Sequence, residues 1–307
     1  MLQPDIQNIT QIYHSGNLEF IAKQVVEGFI IGLHKSPFHG FSVEFAEHRV
    51  YNPGESVKNM DWKVYARTDR MYTKRFEEET NLRCQLVIDS SSSMYYPEDP
   101  KLLSKIRFSV LAAASLIQIL KRQRDAAGLS IFSDSVEVHT NTKSTTIHQK
   151  LMYSHLERTM LREEKNKKTS AAKCIHEIAD NIHKRSLVII FSDMMDNVQE
   201  KEELFAALQH LKYNKHEVIL FHVVDKKHEL DFEFENRPYQ FIDLETGEKV
   251  KLRANQIKDH YITQMKKYET ELKLRCGQYK IDFVEADVNK NFDQILNPYL
   301  VKRMKMK

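Results

Sequence analysis

Hydrophobic positions change their period along the chain, and the change predicts its main domain. From residue 82 onward, short apolar runs such as LRCQLVI (82–88) and SLVIIFS (186–192) alternate with longer amphipathic stretches. Short, nearly continuous apolar runs are typical of strands buried on both faces of a parallel sheet. The longer stretches, of which KLLSKIRFSVLAAASLIQILKRQR (101–124) is the most apolar, predict helices. Alternating strands and helices predict an α/β fold: a doubly wound, mostly parallel sheet with helices on both faces.

The same patterning predicts the other elements of this domain. Further strands are predicted at 127–133, 135–140, 216–224 and 279–286, and further helices at 145–160, 170–184, 199–212, 260–275 and 291–304. Short alternating segments with a turn at Glu245-Thr246-Gly247 predict a β-hairpin insertion near 228–256.

Residues 1–80 have a different pattern. LEFIAKQVVEGFIIGLH (18–34) predicts an amphipathic helix, and residues 36–80 mix short apolar pieces with a turn at Asn52-Pro53-Gly54. We therefore divide the chain into an N-terminal extension, residues 1–80, and an α/β domain, residues 81–307.

Composition narrows the classes of partner. The net charge is +3 over 307 residues, and the aromatic segment 43–79 holds seven Lys and Arg against eight Asp and Glu. Phosphate contacts need a surplus of positive charge, so no nucleic-acid partner is expected. The most apolar N-terminal stretch (20–33) carries Lys23 and Glu27 and is shorter than the roughly 20 apolar residues of a membrane span. The opening MLQPDIQNIT is too polar for a signal peptide. The three cysteines are scattered along the chain, which suits a reducing compartment. We therefore expect a cytoplasmic protein without a membrane span.

Oxygen-bearing side chains follow two of the predicted strands. Asp89 ends the apolar run LVID, with Ser91 and Ser93 after it, and Asp193 follows the run ending at Ser192. An extended turn after Asp89 would present alternate side chains to one side. Ligands of doubly wound sheets bind at the carboxyl ends of the strands, so these side chains are expected to converge there. Thr169, just ahead of the helix at 170–184, can either cap that helix or join them.

Carboxylates and hydroxyls together form an all-oxygen set, which suits a hard cation. Mg²⁺ is the first expectation, with Mn²⁺ or Ca²⁺ as alternatives. Asp89, Ser91 and Ser93 would coordinate directly, Thr169 is a less secure direct ligand, and Asp193 would act through water. One open position would then be free for a carboxylate of a partner protein. A polar turn capping the next helix is the plain structural alternative for DSSSSM.

Other chemistries fit the sequence less well. No G-x-S-x-G elbow and no phosphate-binding G-x-x-x-x-G-K-[ST] occurs, which argues against a nucleophilic serine and an NTPase. A phosphoaspartyl enzyme would prefer a carboxylate where Ser91 stands. His176, Asp180 and His183 share a predicted helix face, but a solvated helix surface is the favoured interpretation of that set.

The metal pattern and an upstream stretch resemble known domains. Asp89-x-Ser91-x-Ser93, Thr169 and Asp193 are similar to the metal-ion-dependent adhesion site (MIDAS) of von Willebrand factor A domains. Residues 44–79 resemble the signature of the bacterial domain-of-unknown-function family fifty-eight. The motif R-x-Y-x-P-G-(D/E) is met by Arg49, Tyr51, Pro53, Gly54 and Glu55, and D-W-x-x-x-A-R by Asp61, Trp62, Ala66 and Arg67.

This resemblance implies a von Willebrand A-like fold and genes commonly found beside MoxR-type AAA+ ATPases. The signature residues would then be structural or partner-binding, with Trp62 as a buried anchor of its segment. Two departures are visible: Thr169 follows a lysine-rich loop, and the N-terminal membrane helices of many members have no counterpart here. We expect a non-enzymatic, metal-dependent protein-interaction module that acts with a MoxR-type ATPase in a chaperone-like or assembly role. The alternatives are a Mg²⁺-dependent hydrolase using Asp89 and a scaffold with an unoccupied metal site.

Overall fold

The apolar runs become strands in the computed structural model, which describes residues 17–34, 48–50, 62–74, 82–99, 102–162, 170–195, 201–244 and 247–306. Within these residues the strands are β1 (His48–Val50), β2 (Tyr72–Lys74), β3 (Arg83–Asp89), β4 (Ala126–Phe132), β5 (Val136–His139), β6 (Leu187–Ser192), β7 (Glu217–Val224), β8 (Pro238–Ile242), β9 (Lys249–Arg253) and β10 (Asp282–Asp287).

Most of the amphipathic stretches become helices with bounds close to those predicted, but the helix predicted at 260–275 begins at Ala254, and the short helix Trp62–Thr68 has no predicted counterpart. The α-helices of the described residues are α1 (Leu18–His34), α2 (Trp62–Thr68), α3 (Lys105–Arg122), α4 (Thr146–Met160), α5 (Ala171–Asn181), α6 (Lys201–Tyr213), α7 (Ala254–Gln278) and α8 (Asp293–Lys305). A 3₁₀ turn (Ser92–Tyr95) lies between β3 and α3, and a π-helical turn (Lys226–Leu230) follows β7.

The central sheet has six strands in the order β10-β7-β6-β3-β4-β5. All neighbouring pairs run parallel except β5, which is antiparallel to β4. Every residue of β6 is buried, as are all residues of β3 after the first. Burial on both faces explains why these strands are continuous apolar runs rather than alternating ones. The predicted doubly wound, mostly parallel α/β fold is confirmed.

Helices cover both faces of this sheet. On one face, Val87, Val188 and Leu220 belong to a cluster with the buried sides of α5 and α6 and the end of α7. Successive strand residues point to opposite faces, so Leu86 and Ile88 face the other layer. In that layer α3 is buried almost all round, and α8 packs beside it through stacked Phe108 and Phe292 rings.

The chain divides into two compact units, one of residues 1–32 and 82–307 and the other of residues 33–81. Most of α1 therefore belongs to the larger unit, which differs from the predicted N-terminal extension of residues 1–80. Its Glu19 carboxylate accepts a hydrogen bond from Lys121 Nζ at 3.0 Å, and the Leu18 N–H donates to Glu157 at 3.2 Å. An amphipathic pattern shows that α1 buries one face, but not which part of the chain covers that face.

The smaller unit contains part of the family-like signature. β1 and β2 pair in antiparallel fashion, with Arg49 opposite Thr73. Trp62 begins α2, is 59% exposed, and contacts Tyr65 edge-on with ring centroids 6.2 Å apart. The prediction of Trp62 as a buried anchor is wrong, because the ring faces solvent beside Tyr65. The signature residues Tyr51, Pro53, Gly54, Glu55 and Asp61 lie outside the described residues.

The predicted hairpin insertion is the pair β8–β9, which are antiparallel to each other and form a separate two-stranded sheet. Gly247, in the loop between them, has a φ of 75°, a conformation that glycine adopts at little cost. A search of the described helices for one long and apolar enough to cross a membrane finds none.

Candidate metal centre

The sheet has a topological switch point between β3 and β6. Connections from β3 lead to β4 and β5 on one side, whereas β6, β7 and β10 continue on the other. In doubly wound sheets, the crevice at the carboxyl ends of the two strands that flank this point is where ligands bind. Ile88 of β3 is paired with Phe191 of β6, so Asp89 and Ser192 follow side by side and Asp193 comes next. The predicted residues therefore lie at the position where the fold itself favours a ligand.

Asp89 is a fully buried carboxylate at the end of β3. Its Oδ1 accepts a hydrogen bond from the Ser91 N–H at 2.9 Å, and its Oδ2 accepts one from Ser192 Oγ at 2.7 Å. Burial, and next the nearby charge of Asp193, raise the pKa of Asp89 to about 7. Each oxygen keeps lone-pair capacity beyond these bonds. The carboxylate is thus oriented by its neighbours, and no cation of the described residues is paired with it.

Ser91 and Ser93 are brought together by the 3₁₀ turn that follows β3, rather than by the extended turn we predicted. Their hydroxyl oxygens are 3.1 Å apart. The Ser91 hydroxyl also reaches Asp89, and the Ser93 hydroxyl hydrogen-bonds Asp193. The intervening residues have other contacts: the Ser90 hydroxyl donates to the Phe132 carbonyl at 2.9 Å. A continuous chain of oxygen atoms therefore links the two carboxylates.

Asp193 is as deeply buried as Asp89 but has a different environment. Its Oδ1 accepts a hydrogen bond from the Met195 N–H at 3.2 Å, and its Oδ2 accepts one from Lys105 Nζ at 2.7 Å. Burial alone would raise the pKa of Asp193, but the Lys105 charge and these hydrogen bonds bring it below its ordinary value. Asp193 is therefore ionised and already neutralised by a protein cation.

Lys105 is the residue of this site that sequence reasoning missed. It begins α3, is 1% exposed, and its Nζ also lies 2.5 Å from Glu229 Oε1. Glu229 belongs to the π-helical turn after β7, and its other oxygen accepts a hydrogen bond from the Asp225 N–H at 2.9 Å. One signal was available: a lysine in the first turn of a helix is unfavourable beside the positive end of the helix dipole. A lysine there, among apolar neighbours, indicates a carboxylate partner.

Three carboxylates and one ammonium group set the charge of the described part of the site. When all three carboxylates are ionised, Asp89, Asp193 and Glu229 contribute three negative charges and Lys105 contributes one positive charge, which leaves −2. Buried charge without a counter-ion is costly. A divalent cation would neutralise it, and the hydroxyl and carboxylate oxygens are the donors that Mg²⁺ prefers. The residues present therefore fit a hard divalent cation.

Thr169, the remaining predicted ligand, lies outside the described residues. Its neighbour Ser170 is described, and the Ser170 N–H donates to the Ser133 carbonyl at 3.1 Å. Ser133 directly follows β4, the strand beside β3, so α5 begins close to the carboxyl edge of the sheet. The position of the Thr169 hydroxyl stays a prediction.

Comparison with known proteins identifies the family. Residues 47–271 match the family described as "Protein of unknown function DUF58", which is well over half of the chain. The chain belongs to this family.

Among curated proteins, this DUF58 member is similar to two mycobacterial relatives. Uncharacterized protein Rv1480 of Mycobacterium tuberculosis is 25% identical over 227 residues, which cover 74% of this chain and 69% of the relative. Uncharacterized protein Mb1516 of Mycobacterium bovis has the same identity and coverage.

Solved structures similar to this chain include two with low sequence identity. The conserved hypothetical protein BatB from Bacteroides thetaiotaomicron is 14% identical, with a TM-score of 0.44, and the match covers 74% of this chain and 100% of BatB. The VWA domain of SpRpn10 is 13% identical, with a TM-score of 0.40, and the match covers 71% and 94%.

The histidine set considered from the sequence is arranged differently in the structure. His176 Nδ1 lies 3.0 Å from Nδ1 of His210 on α6, and Asp180 lies 3.3 Å from His210 Nε2. His183 is exposed and outside this group. The described part of the chain holds no group of three or more His, Cys, Asp or Glu side chains that could bind a metal. The candidate site at the switch point is not such a group, because two of its four oxygen-bearing side chains are serines.

Proposed function

We propose that this DUF58 member is a non-enzymatic protein-interaction module whose binding depends on a divalent cation held at the switch point of the sheet. The observation that carries the proposal is the convergence of Asp89, Ser91, Ser93 and Asp193, together with a net charge of −2 that includes Lys105 and Glu229. Asp89, Ser91 and Ser93 would hold the ion, and Thr169 would complete the set. When bound, the cation supplies a positive charge that an acidic side chain of a partner can contact.

The environment of Asp193 supports an indirect role for that residue. One of its carboxylate oxygens is paired with the Lys105 ammonium, a positive charge that neutralises Asp193, whereas the donors to Asp89 are an uncharged N–H and a hydroxyl. Magnesium retains several waters of hydration in proteins. Asp193 would therefore orient a water of the ion rather than displace it.

The environment of Asp89 supports binding rather than nucleophilic catalysis. A nucleophilic carboxylate must approach its substrate along an open path, whereas Asp89 is fully buried and both its oxygens accept hydrogen bonds. Ser93 is only half-buried, whereas Ser91 and Asp89 are fully buried. A partner group would therefore meet the ion beside Ser93.

The partner we propose is a MoxR-type AAA+ ATPase, with a chaperone-like or assembly role for the pair. The resemblance of the chain to the DUF58 family is the ground for this choice, since genes of that family commonly lie beside MoxR-type genes. The von Willebrand A-like metal pattern is the ground for interaction through a cation.

The test is capture of the purified ATPase of the same organism on the immobilised protein, in Mg²⁺ and in EDTA. Retention is expected in Mg²⁺, and both EDTA and the substitution Asp89→Ala should abolish it. The matched control is Asp134→Ala, which removes an exposed aspartate after the neighbouring strand β4. Equal retention in EDTA, or by Asp89→Ala with a native circular dichroism spectrum, would refute metal-dependent capture. Turnover in a phosphatase and esterase screen that disappears in Asp89→Ala would favour the hydrolase instead.

A further inference from the structure

Lys105 places a permanent cation next to the candidate metal centre. Its ammonium is 1% exposed and lies between two carboxylates, 2.7 Å from Asp193 and 2.5 Å from Glu229. The three groups come from three separate elements: the start of α3, the end of β6 and the π-helical turn after β7. Of the carboxylates at the switch point, Asp193 and Glu229 are therefore paired with the lysine, and Asp89 is not.

Structural stability alone is a weak reason for such an arrangement. Burying an ion pair costs several kcal/mol per ion in desolvation, and apolar residues of similar volume often stabilise a fold equally well or better. The lysine also faces the positive end of the α3 dipole, which adds to the cost. Asp193, in contrast, is needed at this position if the centre binds a cation. The position of Lys105 beside Asp193 is explained if the lysine controls how strongly the centre binds that cation.

We propose that Lys105 is a resident cation that sets the affinity and the selectivity of the centre for divalent ions. The inference rests on the metal centre proposed above. By holding Oδ2 of Asp193, Lys105 leaves Asp89 as the one carboxylate among the described residues of the site that is free to coordinate directly, beside the hydroxyls of Ser91 and Ser93. It also repels the incoming ion.

The expected consequence is weak, exchangeable binding that favours Mg²⁺ or Mn²⁺ over Ca²⁺. Mg²⁺ needs few protein ligands because it keeps its waters, whereas Ca²⁺ takes six to eight oxygens and gains affinity with each added carboxylate. A centre in which one carboxylate coordinates directly therefore favours Mg²⁺. Release of Asp193 from Lys105 would add a second carboxylate and would favour Ca²⁺.

Three variants separate the contributions of charge and coordination. Lys105→Gln changes the site charge from −2 to −3 and frees Asp193. The double variant Lys105→Gln/Glu229→Gln also frees Asp193, but the site charge stays at −2. It leaves no buried glutamate without a cation, so it can still be measured if Lys105→Gln alone does not fold. Glu229→Gln alone keeps Lys105 on Asp193 and changes the charge to −1. The control is Lys121→Gln, a lysine of the same helix paired with Glu19 on the surface.

The measurement is isothermal titration of each folded variant with MnCl₂, MgCl₂ and CaCl₂. We expect the dissociation constant for Mn²⁺ to fall at least about tenfold in Lys105→Gln and in the double variant, and to rise in Glu229→Gln. Calcium should gain more than magnesium in both variants that lack the lysine. The Lys121→Gln control should match the wild type.

The outcomes distinguish this inference from the proposed function. Binding by the wild type that does not tighten in either variant lacking Lys105 overturns the role of the lysine and leaves the metal centre standing. Binding by those variants alone supports the lysine as the determinant and overturns a metal-dependent function of the natural protein. Absence of binding in every variant overturns both.

Discussion

Asp89→Asn is expected to stabilise the metal-free protein at neutral and alkaline pH, although it alters a fully buried, hydrogen-bonded residue. The carboxyl pKa is raised from 3.8 to about 7 by burial and by Asp193. The protonated form therefore favours folding below pH 4, and this contribution is lost as the pH rises through about 7. Above that pH the ionised Asp89 costs the native state about 4 kcal/mol, since one pKa unit corresponds to 1.36 kcal/mol. Asparagine removes this cost.

The substitution also weakens one hydrogen bond. The amide oxygen can still accept from the Ser91 N–H, but the amide nitrogen cannot accept from Ser192 Oγ as Oδ2 does. Ser192 Oγ already accepts from the Met194 N–H at 2.9 Å, so its own proton loses a partner. This costs about 1–3 kcal/mol. The net gain at pH 8 is then about 1–3 kcal/mol, or a few degrees in melting temperature.

The pH dependence is the sharper expectation, because Asp89 titrates with a raised pKa in the native state and asparagine does not titrate. The free energy of unfolding of Asp89→Asn relative to the wild type should increase by about 2–3 kcal/mol between pH 5 and pH 8. Urea unfolding followed by circular dichroism in EDTA measures it, with Asp134→Asn as the exposed control. In saturating Mg²⁺ the wild type should gain stability by mass action and the variant should not. A difference that stays constant with pH would refute the account of Asp89 as an ionisable group without a counter-charge.

Three further predictions concern the scaffold. Gly128→Ala should lower the free energy of unfolding by about 2 kcal/mol, because the new Cβ would collide with Gln85 Oε1 and lie 2.7 Å from the Thr140 carbonyl oxygen. Gly277→Ala, in α7, meets nothing within 4 Å and should raise the free energy of unfolding by about 0.5 kcal/mol in the same urea assay. Arg303→Met leaves the buried Asp125 carboxylate without its cationic partner and should cost about 3 kcal/mol. Arg122→Met, at an exposed ion pair, should cost less than about 0.5 kcal/mol. All three cysteines are free and buried, and burial raises their thiol pKa, so Ellman's reagent should label them only on unfolding; rapid labelling of the native protein would contradict their placement.

Much of the fold could be predicted because the four inner strands of the central sheet, β3, β4, β6 and β7, are buried on both faces. Burial of that kind produces an apolar run that is visible locally, as in LVIIFS of β6. The placement of Asp89 and Asp193 could also be predicted, since each follows its strand directly and both strands run in the same direction. Exposure of Trp62 could not, because a short helix carries no periodic signal long enough to show which side is covered.

The sequence by itself determined the order of strands and helices, and therefore which side chains stand at the carboxyl edge of the sheet. It did not determine the charge of the site. Lys105 is 88 residues from Asp193 and 124 from Glu229, and no local pattern links them. Only the tertiary structure brings this lysine between two carboxylates, because the helix after β3 and the turn after β7 meet where the sheet reverses its order. Local periodicity reports burial, whereas the pairing of charges depends on which elements pack together.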